Sequence, residues 1–231
     1  MEIQKKELLV YLKQFVTHQR QEKIKTLLKI RTRHIAVVLE DLYQSANISA
    51  IMRTCDALGV QDVHCVELRN QIAINKGISL GAAKWLTIDR YQQQPNETNN
   101  PTLECVLALK KQGYTIVATS PHATMPVSQL SLDKKVAFLF GTEDQGLTEE
   151  AINAADQIVE IPMYGFVESF NVSVSAALCL YDATLRLRAS AIDWHLSEQA
   201  QEELELDWIR ASLDHADVLE RTFFEEFSHK K

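Results

Sequence analysis

The apolar positions of the chain first recur with helical spacing. Ile3, Leu8, Leu9, Leu12, Phe15 and Val16 predict an amphipathic helix over 3–17, and a second, basic helix is expected over 18–30. The period then changes. His34–Glu40 (HIAVVLE) is almost continuously apolar, as a strand buried on both faces of a parallel sheet must be. Asn47–Leu58 returns to helical spacing, with Gly59 placed to cap its C-terminus. Further strands are expected at Val63–Glu67, Leu86–Ile88, Thr115–Ser120, Lys135–Phe140 and Ile158–Ile161. Helices are expected at Ile78–Trp85, Leu103–Lys111, Glu149–Ala155 and Ser173–Ala189, with a polar loop over Gln92–Pro101. This alternation predicts an α/β fold with one parallel sheet and helices on both faces. Beyond Ala191 the chain turns acidic. There Ile209, Leu213, Ala216, Leu219 and Phe223 mark a further amphipathic helix that must bury its stripe.

Charge divides the chain in three. Residues 1–33 carry nine Lys and Arg against three Glu, residues 34–190 eleven against seventeen acidic groups, and residues 191–231 four against eleven. These are read as a basic N-terminal helical extension, an α/β domain and an acidic C-terminal helical extension. Opposite charges and two apolar stripes predict that the ends pack together in part. Lys25, Lys29, Arg31 and Arg33, nearest the α/β domain, are then expected to stay free for phosphates.

Apolar residues make up 46% of the chain, ample for a sizeable core. Cys55, Cys65, Cys105 and Cys179 lie far apart in apolar runs and read as reduced core residues of a cytoplasmic protein. Neither cysteine nor histidine spacing suits zinc, so no metal is expected. No leader peptide opens the chain, no apolar run reaches transmembrane length, and no membrane partner is expected. The glycine-rich signatures of dinucleotide and ATP sites are missing, as is the GxSxG elbow of hydrolases.

Three segments carry candidate chemistry, each just after an expected strand, where ligands bind in parallel sheets. Asn47–Val60 places Asn47 as a helix cap and Arg53 in the second turn of an otherwise apolar helix, where it needs an anion or acceptor. A nearby carboxylate, Asp56 or Glu143, would serve structurally. Phe138–Glu150 holds Gly141, where a ligand could approach the backbone, and Gly146, which allows a turn; Thr148 then starts a helix. Ile158–Ala176 runs from a strand stopped by Pro162 to a helix start crowded with Ser169, Asn171, Ser173 and Ser175. One cap residue would be enough; four polar side chains beside exposed helix N–H groups suit a ligand.

These segments resemble the three motifs of the SpoU/TrmH family of S-adenosylmethionine-dependent RNA 2′-O-methyltransferases. The matching pieces are N-x-x-A-I-x-R-T in Asn47–Thr54, F-G-x-E-x-x-G-L in Phe140–Leu147, and I-P-M with S-x-N-V-S-V in Ile161–Val174. The resemblance implies a C-terminal trefoil knot, a homodimer and S-adenosylmethionine as cofactor. It implies that Thr119, Ser120, Gly141, Ile161, Met163 and Phe170 hold the cofactor, and that Asn47, Arg53, Glu143, Ser169 and Asn171 form the catalytic pocket. Guanidinium is too weak an acid for Arg53 to act as a base, so a grip on the phosphate beside the target ribose fits it better. Ala46 departs from the polar residue frequent at that place in the family. No separate RNA-binding domain is evident, and Arg186 and Arg188 stand late in the last long helix. Both features resemble the members that methylate guanosine 18 of the tRNA D-loop, with Arg186 and Arg188 then joining the RNA contacts. A ribosomal RNA methyltransferase and a catalytically silent RNA-binding dimer remain the alternatives.

Overall fold

The computed structural model describes residues 2–72, 81–93 and 99–229. In chain order its elements are α1 (Glu2–Lys13), α2 (His18–Leu28), β1 (Thr32–Glu40), α3 (Ser45–Leu58), β2 (Val60–Glu67), β3 (Thr87–Gln92), α4 (Pro101–Lys111), β4 (Tyr114–Thr119), β5 (Met125–Pro126), β6 (Lys135–Phe140), α5 (Glu149–Ala154), β7 (Gln157–Glu160), α6 (Val172–Ala189), α7 (Glu198–Ala211) and α8 (Ala216–His229). They group into two units, Thr32–Trp194 and the combined ends Met1–Arg31 and His195–Lys231.

In the larger unit seven strands form one sheet in the order β3-β2-β1-β6-β4-β7-β5, every pairing parallel. Every residue of β1 except Arg33 is buried, and alternate side chains feed two cores. Ile35, Val37 and Leu39 join Ile48, Ile51 and Met52 of α3 and Ala176 and Leu180 of α6. Ala36 and Val38 join Cys105, Val106 and Leu109 of α4. Burial on both faces is why β1 reads as an unbroken apolar run. α3 ends where Gly59 takes a left-handed φ of 75°, as its capping role requires. The helix starts earlier than expected: Gln44 is its N-cap, so Asn47 lies inside the first turn and does not cap it.

The two-residue strand β5 escapes a period-based reading, because two residues define no period. Of the helix expected at Ile78–Trp85, Ala82–Trp85 is a 3-10 turn, and 78–80 lie outside the described residues. The polar loop expected at Gln92–Pro101 also falls partly outside them, over 94–98.

In the terminal unit α1 lies against α7 and α8, and α2 against α7. Leu8, Leu12, Val16, Ile24 and Leu28 are buried, as are Leu204, Trp208, Ile209 and Phe223. Of the two neighbours expected in the stripe, Val16 is buried and Phe15 is exposed. Basic and acidic ends meet in Lys6–Glu202 at 3.2 Å and Lys13–Glu205 at 2.7 Å. Each such pair contributes at most about 1 kcal/mol, so the buried stripe supplies most of the attraction. The helix expected through Ile209–Phe223 is in fact two, broken at 212–215. At the break Ser212 turns its hydroxyl back to the Trp208 carbonyl, an alternative to continuing the helix.

Candidate active site

The ends of the central strands carry carboxylates that tie down the loops beyond them. Glu40, buried at the end of β1, accepts from the Thr102 hydroxyl, and from the Thr148 N–H and hydroxyl at 2.8 Å each. Thr148 in turn caps α5 by accepting from the Ala151 N–H. Glu67, at the end of β2, accepts from the Ile72 N–H at 2.9 Å and pairs with Arg90. Such buried acceptors fix loop positions, since leaving one unpaired costs about 1–3 kcal/mol.

The loop after β6 closes on itself. Thr142 and Gly146 exchange backbone hydrogen bonds of 3.0 and 2.9 Å. A Cβ on Gly141 would stand 2.1 Å from the Gly146 oxygen and 2.3 Å from the Leu147 nitrogen. Glycine is therefore needed here because the chain packs against its own backbone, a reason beyond the expected approach of a ligand.

Between this loop, the end of β4 and the segment before α6 lies a cavity of about 510 Å³. That falls within the size of small-molecule sites, roughly 300–1,000 Å³. Thr119, Ser120, Gly141, Ile161, Met163 and Phe170 all line it, as do Glu143 and Ser169. Sequence reasoning misses its apolar wall of Leu147, Ile152, Val159 and Val172, whose apolar character is equally that of ordinary core. His122 lines it too, whereas His34 is buried with Nε2 2.7 Å from the Leu132 oxygen and has a structural role. Cys179 also reaches it, but burial pushes its thiol up to about 12, so it packs as a neutral group and is no nucleophile.

Beside the cavity three motif residues form one hydrogen-bonded group. Asn171 caps α6, its Oδ1 accepting from the Ser173 N–H at 2.9 Å. That fixes the amide, and its Nδ2 donates to Asn47 Oδ1 at 3.2 Å and to Glu143 Oε1. Asn47 Nδ2 donates to Glu143 Oε1 at 3.0 Å and to Gln44 Oε1 at 2.7 Å. Gln44 lies outside the motifs; its position three residues before Asn47 is the one signal in the sequence that points to it. Ser169 is exposed on the cavity rim, and Arg53 is exposed on α3. Arg53 makes no hydrogen bond or ion pair with the described residues, so neither Asp56 nor Glu143 neutralises it.

The expected RNA contacts divide. Lys25 and Lys29 are exposed. Arg31 is only 3% exposed, with its guanidinium 5.0 Å from the Trp208 ring centroid, and is not free for phosphate. Arg33 pairs with Asp62 at 3.3 Å and donates to Thr87. Arg186 donates to the Leu130 and Val127 carbonyls at 2.7 and 3.0 Å and pairs with Asp182. Arg188 donates to the Leu58 carbonyl at 3.0 Å and stacks over Trp194. In these four the guanidinium already has acceptors or a ring to satisfy it, which corrects the reading of them as open phosphate contacts.

Residues 34–181 match the SpoU rRNA Methylase family. The tRNA (guanosine(18)-2′-O)-methyltransferase of Borreliella burgdorferi is 38% identical over 200 residues, 86% of this chain and 88% of the relative. The structure of the Aquifex aeolicus TrmH/SpoU tRNA modifying enzyme superposes with a TM-score of 0.75 at 28% identity, covering 84% of this chain and 97% of that one. The SpoU methyltransferase AviRb of Streptomyces viridochromogenes, in complex with the cofactor AdoMet, shares the fold at a TM-score of 0.59 and 24% identity, covering 71% and 64%. With two of its motifs lining one cavity, the first tied to them through Asn47, and the match running through all three, the chain belongs to the SpoU rRNA Methylase family.

Proposed function

We propose that the chain transfers a methyl group from S-adenosylmethionine to a ribose 2′-hydroxyl of tRNA, with guanosine 18 of the D-loop as the target. The carrying observation is Glu143. It lines the cavity and also holds Asn47 and Asn171 beside it, so one carboxylate joins a small-molecule site to the residues that would meet RNA. Its relative in Borreliella burgdorferi, named for that target, supports the choice of nucleotide.

The cavity suits the cofactor chemically. Glu143, Asp144 and Glu168 line it and, among the described residues, no Lys or Arg does, an environment that favours a cationic ligand with a neutral base. Thr119, Ser120, Gly141, Ile161, Met163 and Phe170 are the residues that would hold it. When bound, the cofactor would supply an electrophilic methyl on a sulfonium whose leaving group is a neutral thioether. The protein then has to align the two partners and keep water out. Asn47 and Asn171 stand beside the pocket as amides fixed on Glu143, and Ser169 offers a hydroxyl at its rim. Arg53 grips the phosphate beside the target ribose with its planar guanidinium, while the hydroxyl proton passes to that phosphate or to water. Lys25 and Lys29 supply further phosphate contacts.

The same reading includes the family's knotted C-terminal threading, a homodimer and action in the cytoplasm. Val174, Leu178, Tyr181 and Leu185 form an exposed apolar stripe along α6, and Tyr164 and Phe166 are fully exposed nearby in sequence. A second copy of the chain would cover such a patch. All four cysteines are free and buried, and no helix among the described residues is long and apolar enough to cross a membrane.

The test is methylation of unmodified tRNA by the purified protein with labelled cofactor, followed by mapping of the modified ribose. Incorporation at guanosine 18 is expected; label only in ribosomal RNA, or none in any RNA, overturns the reading. Arg53→Ala should abolish turnover with cofactor affinity unchanged. Arg53→Lys should also be poor, because a point charge cannot reproduce the planar fork.

A further inference from the structure

The loop 142–146 is held at three successive residues. Asn47 donates to Glu143, the Tyr43 hydroxyl donates to Asp144 at 3.1 Å, and Arg69 donates to Gln145 Oε1 through Nη1 at 3.2 Å and Nη2 at 3.1 Å. All three loop residues line the cavity. The first tether comes from the first turn of α3 and the second from the segment between β1 and α3, while the third comes from beyond the end of β2 and belongs to none of the motifs.

Arg69 is aimed by an unusual residue. Asp41 is 1% exposed and has a φ of 57°, a left-handed conformation that Asp tolerates better than most side chains. Its Oδ1 accepts from the backbone N–H groups of Leu68, Arg69 and Asn70 at 3.1, 2.7 and 2.8 Å. Its Oδ2 accepts from Arg69 Nε at 2.9 Å. The Asp41 N–H donates to the Val66 carbonyl and Asn70 Nδ2 donates to the Asp41 carbonyl, so the surroundings determine the conformation many times over. With Nε committed to Asp41, the two terminal nitrogens of Arg69 point at Gln145. A plain surface ion pair would have an exposed carboxylate and a second end free in water. Here the carboxylate is buried and the other end of the guanidinium grips the cavity loop.

We propose that Arg69, oriented by Asp41, is a positioning residue that holds the cofactor loop in its binding shape through Gln145. The proposal rests on the functional reading above. If it holds, Arg69→Ala weakens S-adenosylmethionine binding about fivefold, the equivalent of one net hydrogen bond. Asp41→Asn does the same, since Asn accepts the backbone donors and tolerates the left-handed φ but loses the charge opposite Arg69. Arg69→Lys fails to rescue, because one ammonium cannot bridge both partners. KM for the cofactor rises more than kcat falls.

The experiment is a double-substitution cycle by calorimetry with S-adenosylmethionine, using Arg69→Ala, Gln145→Ala and both together. Arg69 acting through Gln145 leaves the double variant no weaker than the weaker single one. Wild-type affinity in Arg69→Ala, or effects that multiply, overturns the proposal. So does a loss of tRNA affinity with cofactor affinity intact, which makes Arg69 an RNA contact instead. Hydrogen exchange of a peptide spanning 141–147, without cofactor, separates this from the functional reading. Faster exchange in Arg69→Ala supports the clamp even if the wild-type protein binds no S-adenosylmethionine; unchanged exchange refutes it.

Discussion

Asn171 Nδ2 donates to Asn47 Oδ1 at 3.2 Å, across 124 residues of chain. The contact is possible because Asn171 uses its own oxygen to cap α6, which leaves the amide nitrogen facing the first turn of α3. Helix capping and pocket construction are thus one arrangement at this residue.

The two roles can be separated. Asn171→Ser keeps a good cap oxygen and removes the amide donors. Its melting temperature should stay close to wild type while the single-turnover methylation rate falls, by about tenfold to a hundredfold if a charge-assisted hydrogen bond of about 1.5–3 kcal/mol is lost. A wild-type rate would show that the amide only holds the helix.

Gly141→Ala places a methyl against backbone at 2.1 Å, where no side chain can swing aside. The 142–146 loop must shift, so destabilisation of about 1–3 kcal/mol and loss of cofactor binding are expected together. Chemical denaturation and calorimetry measure the two effects.

Lys25 and Lys29 should behave unlike Arg31. Neutralising both lysines should lower the salt slope of tRNA binding by about two and leave stability unchanged. Arg31→Ala should instead lower the melting temperature, because it removes a buried side chain packed over Trp208. Equal salt slopes for the double-lysine variant and wild type would remove the first helices from the RNA contacts.

Asp41 gives a pH test. Burial pushes its carboxyl up, but hydrogen bonds from Asn70, Arg69 and Leu68 outweigh that and leave it below the ordinary 3.8. A lowered native value means the ionised form is favoured on folding. Its stabilisation is present above about 3.8 and is lost as pH falls through the native value. Asp41→Asn should therefore be less stable than wild type at neutral pH, by about 1.5–3 kcal/mol, with the gap narrowing only in acid below 3.8. Urea melts across that range measure it; a gap that does not depend on pH would assign the loss to the backbone.

Much of the site is legible in the amino-acid sequence. The apolar run of β1, the cap at Gly59 and the polar crowd from Ser169 to Ser175 are local patterns, and local sterics and hydrogen bonding decide them. The motif residues can be placed because each follows a strand, and strand ends of a parallel sheet share one edge. What each cation does is not legible in the same way. Arg31, Arg33, Arg53, Arg186 and Arg188 look alike in the sequence. Arg31 stacks on Trp208, Arg186 is gripped by the carbonyls of 127 and 130, and Arg53 has no partner among the described residues. The same holds for Gly141, which needs to be glycine because the chain turns back on it. Those outcomes depend on groups brought together from distant positions. Periodicity determines which face of an element is buried, but only packing determines which donor meets which acceptor.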